Sequence, residues 1–138
     1  MHIETIETIV SLPVALQEPA ETVAVPPEVE VQAKQGKLWH LLAWKDIEGG
    51  TCGFYRNKIG VVLPLGNIQA AIINVMKPAK GKGYVALDVW LQNGDRAVSV
   101  FEAGVYNPDA FLWFLSQKSK FEEILGQPIE VRDLGSDY

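Results

Sequence analysis

The stretch YVALDVWLQNGDRAVSVFEA, residues 84–103, contains the strongest structural signal in the sequence. Asn93-Gly94 is the dipeptide that best suits a two-residue type I′ turn, because both central residues of that turn take positive φ. Apolar and β-branched segments flank the dipeptide at 84–92 and 95–103, as the strands of a hairpin do. The sequence therefore predicts an antiparallel hairpin over this stretch.

The predicted turn also determines which side chains of the hairpin share a face, since neighbours along a strand point to opposite faces. The first face is mostly aliphatic and is expected to face the core; its cross-strand pairs are Leu91 with Arg96, Val89 with Val98 and Leu87 with Val100. The second face pairs Asp88 with Ser99 and holds three aromatic side chains, Tyr84, Trp90 and Phe101. Three aromatics exceed what contact with solvent needs, so we expect a second sheet, another subunit or a ligand to cover them.

One long helix is predicted after the hairpin. Asn107 suits the N-cap position and Pro108 the first helical position, while Gly126 supplies the left-handed residue that ends a helix. Leu112 falls on the polar side of this helix and Trp113 at its edge. The helix is therefore predicted to contact something beyond its own sheet.

Most of the remaining body is predicted as strands. The apolar segments are 37–45, 51–56, 59–65, 68–76 and a short last one at 129–132. Segment 37–45 is apolar on both alternating faces, which is typical of a central or sandwiched strand. Segment 77–83, KPAKGKG, is predicted as a loop from its composition.

These elements predict an α+β fold, in which a bent antiparallel sheet of five to seven strands carries one long C-terminal helix. Residues 36–138 are expected to form a single domain. Residues 1–35 are predicted as an acidic N-terminal arm, with four of the eight prolines and six acidic groups against Lys34 alone. Such an arm is either a flexible tail or an extended segment docked on a sheet edge, of this protein or of a partner.

The composition restricts the class of protein. The chain has 138 residues, 48 % hydrophobic and 21 % charged, which fits one globular domain. No segment reaches the roughly 18 uninterrupted apolar residues of a membrane span. A single cysteine, Cys52, excludes an internal disulfide framework and fits a reducing compartment. We therefore expect a cytoplasmic protein that is not bound to a membrane.

The residues that commonly carry catalysis or bind metals are few. His2 and His40 are the two histidines, and with Cys52 they form no zinc-binding pattern. Asp88 is expected to be hydrogen-bonded to Ser99 across the hairpin. No phosphate-binding loop or dinucleotide fingerprint is present. These observations predict a non-catalytic protein without metal or cofactor; a small enzyme that uses His40, Cys52 or Asp88 is the least favoured alternative.

Charge is unevenly distributed within a net charge of −5. Residues 53–82 contain no Asp or Glu, and their basic residues are Arg56, Lys58, Lys77, Lys80 and Lys82. One interpretation is a solvated surface on which charges happen to segregate. The other is a basic surface for a polyanion, although the sequence pI is about 5.0, whereas that of a strongly nucleic-acid-binding domain is more often above roughly 9.

Lysines and aromatics together suggest a nucleic-acid surface. Lysines on a glycine-containing loop can follow a phosphate backbone, and flat rings on a strand face can stack unpaired bases. Tyr84, Trp90 and Phe101 are the candidate rings. The alternative is that these aromatics form the second layer of an ordinary β-rich core.

The order of strands, basic loop, Asn-Gly hairpin and capped helix resembles the single-stranded DNA-binding fold of plant Whirly proteins and the related transcriptional-coactivator family. The resemblance covers about residues 50–125, with its best local matches at Lys80–Tyr84 and Asn107–Leu125. The apolar segment 37–45 and the acidic arm depart from that pattern. The resemblance implies that a sheet face binds nucleic acid, through Tyr84, Trp90 and Lys82, and that helices mediate oligomerisation, through Leu112 and Trp113.

The sequence thus favours a non-catalytic protein that binds single-stranded nucleic acid and forms a homo-oligomer. The candidate nucleic-acid-binding residues are Arg56, Lys58, Lys77, Lys80, Lys82, Tyr84, Trp90 and Phe101, and the candidate interface residues are Leu112 and Trp113. The alternative is a structural or assembly protein, such as a virion component or a subunit of a complex. In that case the N-terminal arm docks on a neighbouring protomer.

Overall fold

The computed structural model describes residues 1–6, 14–16, 25–36, 40–92, 94 and 97–136. The strands are β1 (His2–Ile6), β2 (Val14–Leu16), β3 (Leu41–Asp46), β4 (Thr51–Arg56), β5 (Ile59–Pro64), β6 (Ile68–Lys77), β7 (Tyr84–Leu91), β8 (Ala97–Ala103) and β9 (Ile129–Ser136). The α-helices are α1 (Pro27–Gln35) and α2 (Pro108–Leu125), and a 3-10 turn spans Leu65–Asn67. The fold class is α+β with a long C-terminal helix, as predicted.

The strands form two sheets. The first sheet has the order β1-β3-β4-β5 and is antiparallel throughout. The second sheet has the order β2-β8-β7-β6-β9, in which β9 runs parallel to β6 and the other pairs are antiparallel. The 3-10 turn separates β5 from β6, so strands that the sequence predicted as one bent sheet of five to seven divide into two sheets.

The main core lies between α2 and the inner faces of both sheets. Helix α2 contacts β3 and β4 of the first sheet and β6, β7 and β9 of the second. Five aromatic side chains pack against one another in this core: Phe54, Phe101, Trp113, Phe114 and Phe121. The rings of Phe54 and Phe101 meet edge to face with centroids 4.6 Å apart, a favoured aromatic geometry.

The predicted ends of α2 are confirmed. The Asn107 side chain accepts a hydrogen bond from the Asp109 backbone N–H at 2.8 Å, and Pro108 begins the helix. At the other end Gly126 has φ 73° and its N–H donates to the Glu122 carbonyl at 2.8 Å. The sequence was sufficient here because each cap is a local interaction between neighbouring residues.

Helix α1 lies in the segment that the sequence predicted as an irregular arm. Proline disrupts the interior of a helix because it lacks a backbone N–H. At the first helical position that N–H would have no partner within the helix, so proline is tolerated there. Pro27 occupies that position. The helix packs Val29 against Leu42 and Trp44 on the outer face of the first sheet. The first sheet is therefore covered on both faces, which agrees with the doubly apolar pattern of segment 37–45 over its described strand part, 41–45. Residues 37–39 of that segment lie outside the described residues.

The described parts of residues 1–35 pair with the protein's own sheets. Strand β1 pairs with β3, and β2 pairs with β8. Each adds an edge strand, which is one of the forms of docking that the sequence allowed. Residues 7–13 and 17–24 lie outside the described part of the chain.

The hairpin has the predicted register near its turn, where Trp90 pairs with Ala97, Val89 with Val98 and Asp88 with Ser99. The Gly94 N–H donates to the Leu91 carbonyl. Asn93, Asp95 and Arg96 lie outside the described residues. The predicted type I′ turn and the predicted pair of Leu91 with Arg96 therefore lie outside them as well.

Beyond this point a β-bulge changes which residues face the core. Leu87 pairs with Phe101 instead of Val100, so β8 contributes one extra residue there. A one-residue shift moves later side chains to the opposite face. The prediction that Phe101 lies on the second face with Tyr84 and Trp90 is therefore wrong: Phe101 is 1 % exposed and belongs to the main core.

Neither helix of the described chain combines the length and apolar character that a segment crossing a bilayer needs.

Candidate functional site

The basic loop joins β6 to β7 at one end of the second sheet. Lys77, Lys80 and Lys82 are all exposed. The Lys77 ammonium lies 3.8 Å from the Asp133 carboxylate of β9. Within the described residues, neither Lys80 nor Lys82 has a carboxylate within ion-pair distance. Two of the three loop lysines are therefore available to an external anion.

Backbone contacts hold this loop in place. Gly83 has φ 66°, and a Cβ there would collide with the Met76 carbonyl and the Tyr106 side chain, so glycine suits the position. The Tyr106 N–H donates to the Lys82 carbonyl at 2.9 Å. These contacts join the loop backbone to Tyr106, whose side chain packs against the main core. The sequence analysis did not single out Tyr106 because it follows β8 by three positions.

Tyr84 is the first residue of β7 and directly follows the loop. Its side chain is half-buried on the outer face of the second sheet, opposite Met76 of β6. Burial raises the pKa of the Tyr84 phenol, and the negative charges of Asp88 and Glu102 raise it further. Lys80 and Lys82 are thus exposed just before the half-buried Tyr84, and the nearby charges on the outer face are acidic.

The centre of this outer face is a hydrogen-bonded carboxylate. Asp88 accepts a hydrogen bond from the Ser99 hydroxyl at 2.5 Å and another from the Asn74 amide at 2.6 Å. The predicted contact between Asp88 and Ser99 is confirmed. Because each carboxylate oxygen already has a donor, these bonds anchor Asp88 within the sheet.

Trp90 lies near the opposite end of β7 from the loop. Its side chain is half-buried, and its cross-strand neighbours are Ala70 and Ala97. Six residues of extended strand separate it from Tyr84, a distance of about 20 Å. Trp90 thus shares a face with Tyr84 but does not share a local site with it.

A known family matches most of the chain. The family described as the PM0294 C-terminal domain matches residues 2–129. The chain belongs to this family. No curated protein and no solved structure matches it. The match names a family other than the Whirly proteins, so the resemblance noted in the sequence has no support from it.

The other predicted basic residues lie away from the loop. Arg56 ends β4 and Lys58 lies in the turn between β4 and β5, two strands of the first sheet. Burial lowers the pKa of the Arg56 guanidinium. Lys58 lines a cavity on the outer face of the first sheet. The five basic residues of segment 53–82 are therefore divided between the two sheets.

The two predicted interface residues also have different environments. Leu112 is 61 % exposed on α2, whereas Trp113 is 5 % exposed and packs against Phe101 and Phe121. Trp113, which was predicted at the edge of the polar side of the helix and as an interface residue, is instead buried in the main core. The helix buries it because both sheets contribute to the core that α2 covers.

The candidate nucleophile of this domain is buried. Cys52 is 0 % exposed in the main core, and burial raises the pKa of its thiol to about 11, against a smaller opposing effect of Lys45. His40 lines the cavity with Leu42 and Tyr55, which belong to the outer face of the same sheet. The sheet therefore separates the imidazole from the thiol, and the two do not form a dyad.

One group of possible metal ligands occurs in the described residues, where His2, Glu4 and Glu123 have ligand atoms within 4.8 Å of one another. His2 and Glu123 are exposed, and His2 lies 3.1 Å from Glu4. The Lys45 ammonium donates to the Glu123 carbonyl at 3.1 Å. The Lys45 ammonium thus binds a backbone carbonyl near the C-terminal end of α2, where the helix dipole favours a cation.

Proposed function

We propose that this protein binds single-stranded nucleic acid, without catalysis, at the loop end of the second sheet. One observation carries the proposal: the exposed lysines of the loop directly precede the half-buried Tyr84, the first residue of β7. Ammonium groups bind phosphates, and tyrosine rings stack on unpaired bases. Lys80, Lys82 and Tyr84 are the residues proposed to make these contacts.

The acidic outer face limits the proposed site. Asp88 and Glu102 raise the pKa of Tyr84 by repelling negative charge, and they would repel a phosphate in the same way. A strand that continued from Tyr84 toward Trp90 would cross Asp88. The proposal therefore confines nucleic acid to the loop end and excludes Trp90 and Phe101 from contact.

The proposed contacts imply modest affinity with a defined dependence on salt. Two phosphate contacts on a single strand give a slope of about −1.4 for the logarithm of the binding constant against the logarithm of salt concentration. Stacking on a tyrosine contributes about 1–3 kcal/mol per base and tolerates any sequence. Binding should therefore be weak, sensitive to salt and indifferent to base sequence.

The test is fluorescence anisotropy of a short labelled oligothymidylate over a salt series. Lys80→Gln with Lys82→Gln should weaken binding about tenfold at low salt and flatten the slope. Tyr84→Leu keeps apolar area but removes the flat ring, and should weaken binding without changing the slope. Lys120→Gln with Arg132→Gln removes the same charge elsewhere and serves as the matched control.

Two results would contradict the proposal. One is no binding by the native protein at low ionic strength. The other is an equal loss of affinity in the control and loop variants, because binding would then follow overall charge and not this site.

The assembly alternative is favoured by one feature of α2. Leu112 is 61 % exposed and Leu115 is 38 % exposed, and exposed large apolar side chains on a helix are common at contacts between subunits. A homo-oligomer through α2 is the form that this alternative takes. Light scattering should then report a multimer that Leu112→Glu dissociates; a monomer in the native protein would count against it.

A further inference from the structure

A cavity of about 300 Å³ lies on the outer face of the first sheet, between the C-terminal half of α1 and the turn that joins β4 to β5. Lys34 of α1 and Lys58 of the turn both line it, together with His40 and Asn57. Tyr55 and Leu42 form its apolar part. The remaining lining residues are Thr5 of β1, three residues of α1 (Gln32, Ala33 and Gln35) and Gly36, which follows α1.

The charge of the lining is positive. Among the described residues that line the cavity there are two lysines and no Asp or Glu. Within the part of the chain that the structure describes, Lys34 and Lys58 have no carboxylate within ion-pair distance. The C-terminal end of α1 carries the negative end of the helix dipole, which does not attract an anion. Attraction for an anion must therefore come from the two ammonium groups.

The backbone at Lys58 is a second, independent observation. Asn57 and Lys58 have φ of 50° and 69°, as the two central residues of a tight hairpin turn between paired Arg56 and Ile59. Glycine adopts such a conformation freely, whereas a lysine there costs backbone strain. A strained residue in a cavity wall points toward a role for its side chain.

We propose that this cavity binds a small organic anion. The acid group would contact Lys34 and Lys58, and a flat or apolar body would pack on Tyr55 and Leu42. The volume lies at the lower end of the range for small-molecule sites, about 300–1,000 Å³, so the ligand is of the size of a single ring with one acid group. A carboxylate and a phosphate monoester share the required chemistry.

The probes that test this are phenyl phosphate, benzoate and the uncharged benzyl alcohol, titrated into the native protein by calorimetry. At least one of the two anions should bind about tenfold or more tightly than benzyl alcohol, because a hydrogen bond to a charged group is worth this much. The tighter of the two identifies the acid group. Amide NMR shifts of Asn57 and Lys34 should locate the bound probe.

Lys58→Gly separates binding from folding. Since φ 69° suits glycine, the variant should melt no lower than the native protein, yet lose about tenfold in affinity for the anion. Lys34→Gln, on the helix, should weaken binding to a similar extent. Lys80→Gln with Lys82→Gln should leave the affinity unchanged, because the loop belongs to the other sheet.

Four results would overturn the proposal. Benzyl alcohol could bind as tightly as the anions, or no probe could bind. The anion could also bind equally well after Lys58→Gly and Lys34→Gln, or lose its binding after the loop substitutions, which would place it at the nucleic-acid site. Retention of oligothymidylate binding in Lys58→Gly keeps the two sites distinguishable.

Discussion

Two regions of this protein combine lysines with tyrosine, and they differ in shape. At the loop end of the second sheet, Lys80 and Lys82 are exposed beside Tyr84. On the first sheet, Lys34 and Lys58 line a cavity with Tyr55. Similar residue types therefore form a protruding site in one place and a concave one in the other. A protruding site can contact a polymer that passes over it, whereas a cavity encloses a small molecule.

The difference arises from what covers each sheet. Helix α1 lies over the outer face of the first sheet, and the cavity forms where that helix ends. On the second sheet, the outer face keeps Tyr84, Asp88 and Trp90 half-buried. Both regions depend on the aromatic core between the sheets. The first prediction therefore concerns the stability that this core provides.

The largest effect is expected for Phe101→Ala. This side chain is 1 % exposed and contacts four other aromatic rings, so its removal should lower the free energy of unfolding by about 3–5 kcal/mol. Trp90→Ala should cost clearly less, because part of the indole is already in water. Urea denaturation measures both. An equal loss of unfolding free energy in the two variants would mean that Trp90 is packed as fully as Phe101, contrary to its half-buried position.

The next effect is expected where α1 meets the first sheet. Val29 is 0 % exposed against Leu42 and Trp44, and Val29→Asp would place a carboxylate there at a cost of about 3 kcal/mol. Displacement of α1 should remove binding of phenyl phosphate while binding of oligothymidylate persists. Val31→Asp, at a position on α1 that is 55 % exposed, is the control. Loss of both ligands in Val29→Asp would show that the two regions are not independent.

A smaller effect is expected for Gly83→Ala in the basic loop. The added Cβ would meet the Met76 carbonyl and Tyr106 at a φ of 66°, which should cost about 1–3 kcal/mol. Displacement of the loop should weaken binding of oligothymidylate and spare the cavity. Gly66→Ala, where a Cβ meets no other atoms, is the control. Unchanged affinity in Gly83→Ala would remove the loop geometry from the proposal.

The smallest effect concerns the Tyr84 phenol. Its pKa in the folded protein is raised by burial and by Asp88 and Glu102, so the neutral phenol is favoured by folding. This contribution to stability is complete below the pKa of the unfolded chain and is lost as pH rises through the folded pKa. Asp88→Asn should lower the Tyr84 pKa, as measured by NMR titration, and Asp46→Asn should not. No change in Asp88→Asn would show that the acidic face does not act on this ring.

Local signals in the sequence were reliable. The caps of α2, the hairpin register next to its turn and the exposed basic loop all depend on residues close together in the chain. The doubly apolar segment 37–45 also indicated a sheet covered on both faces. The helix that covers its outer face, α1, was not predicted, because Pro26-Pro27 was interpreted as a break in regular structure and not as the start of a helix.

Other features depend on contacts between distant segments. The bulge that turns Phe101 inward follows from packing against Phe54 and α2, which a two-strand pattern does not contain. The cavity needs α1, β3 and the β4–β5 turn together. The positive φ of Lys58 could not be predicted from the sequence, because Asn-Lys is not a dipeptide that indicates such a turn.

By itself, the sequence determined the α+β class, the capped helix and the separate runs of lysine and aromatic residues, since periodicity and capping are local properties. The tertiary structure decided that the strands form two sheets and which aromatics are buried. It also divided the basic residues into a protruding loop and a cavity. Those outcomes depend on which faces meet across the core, and packing between distant segments sets them.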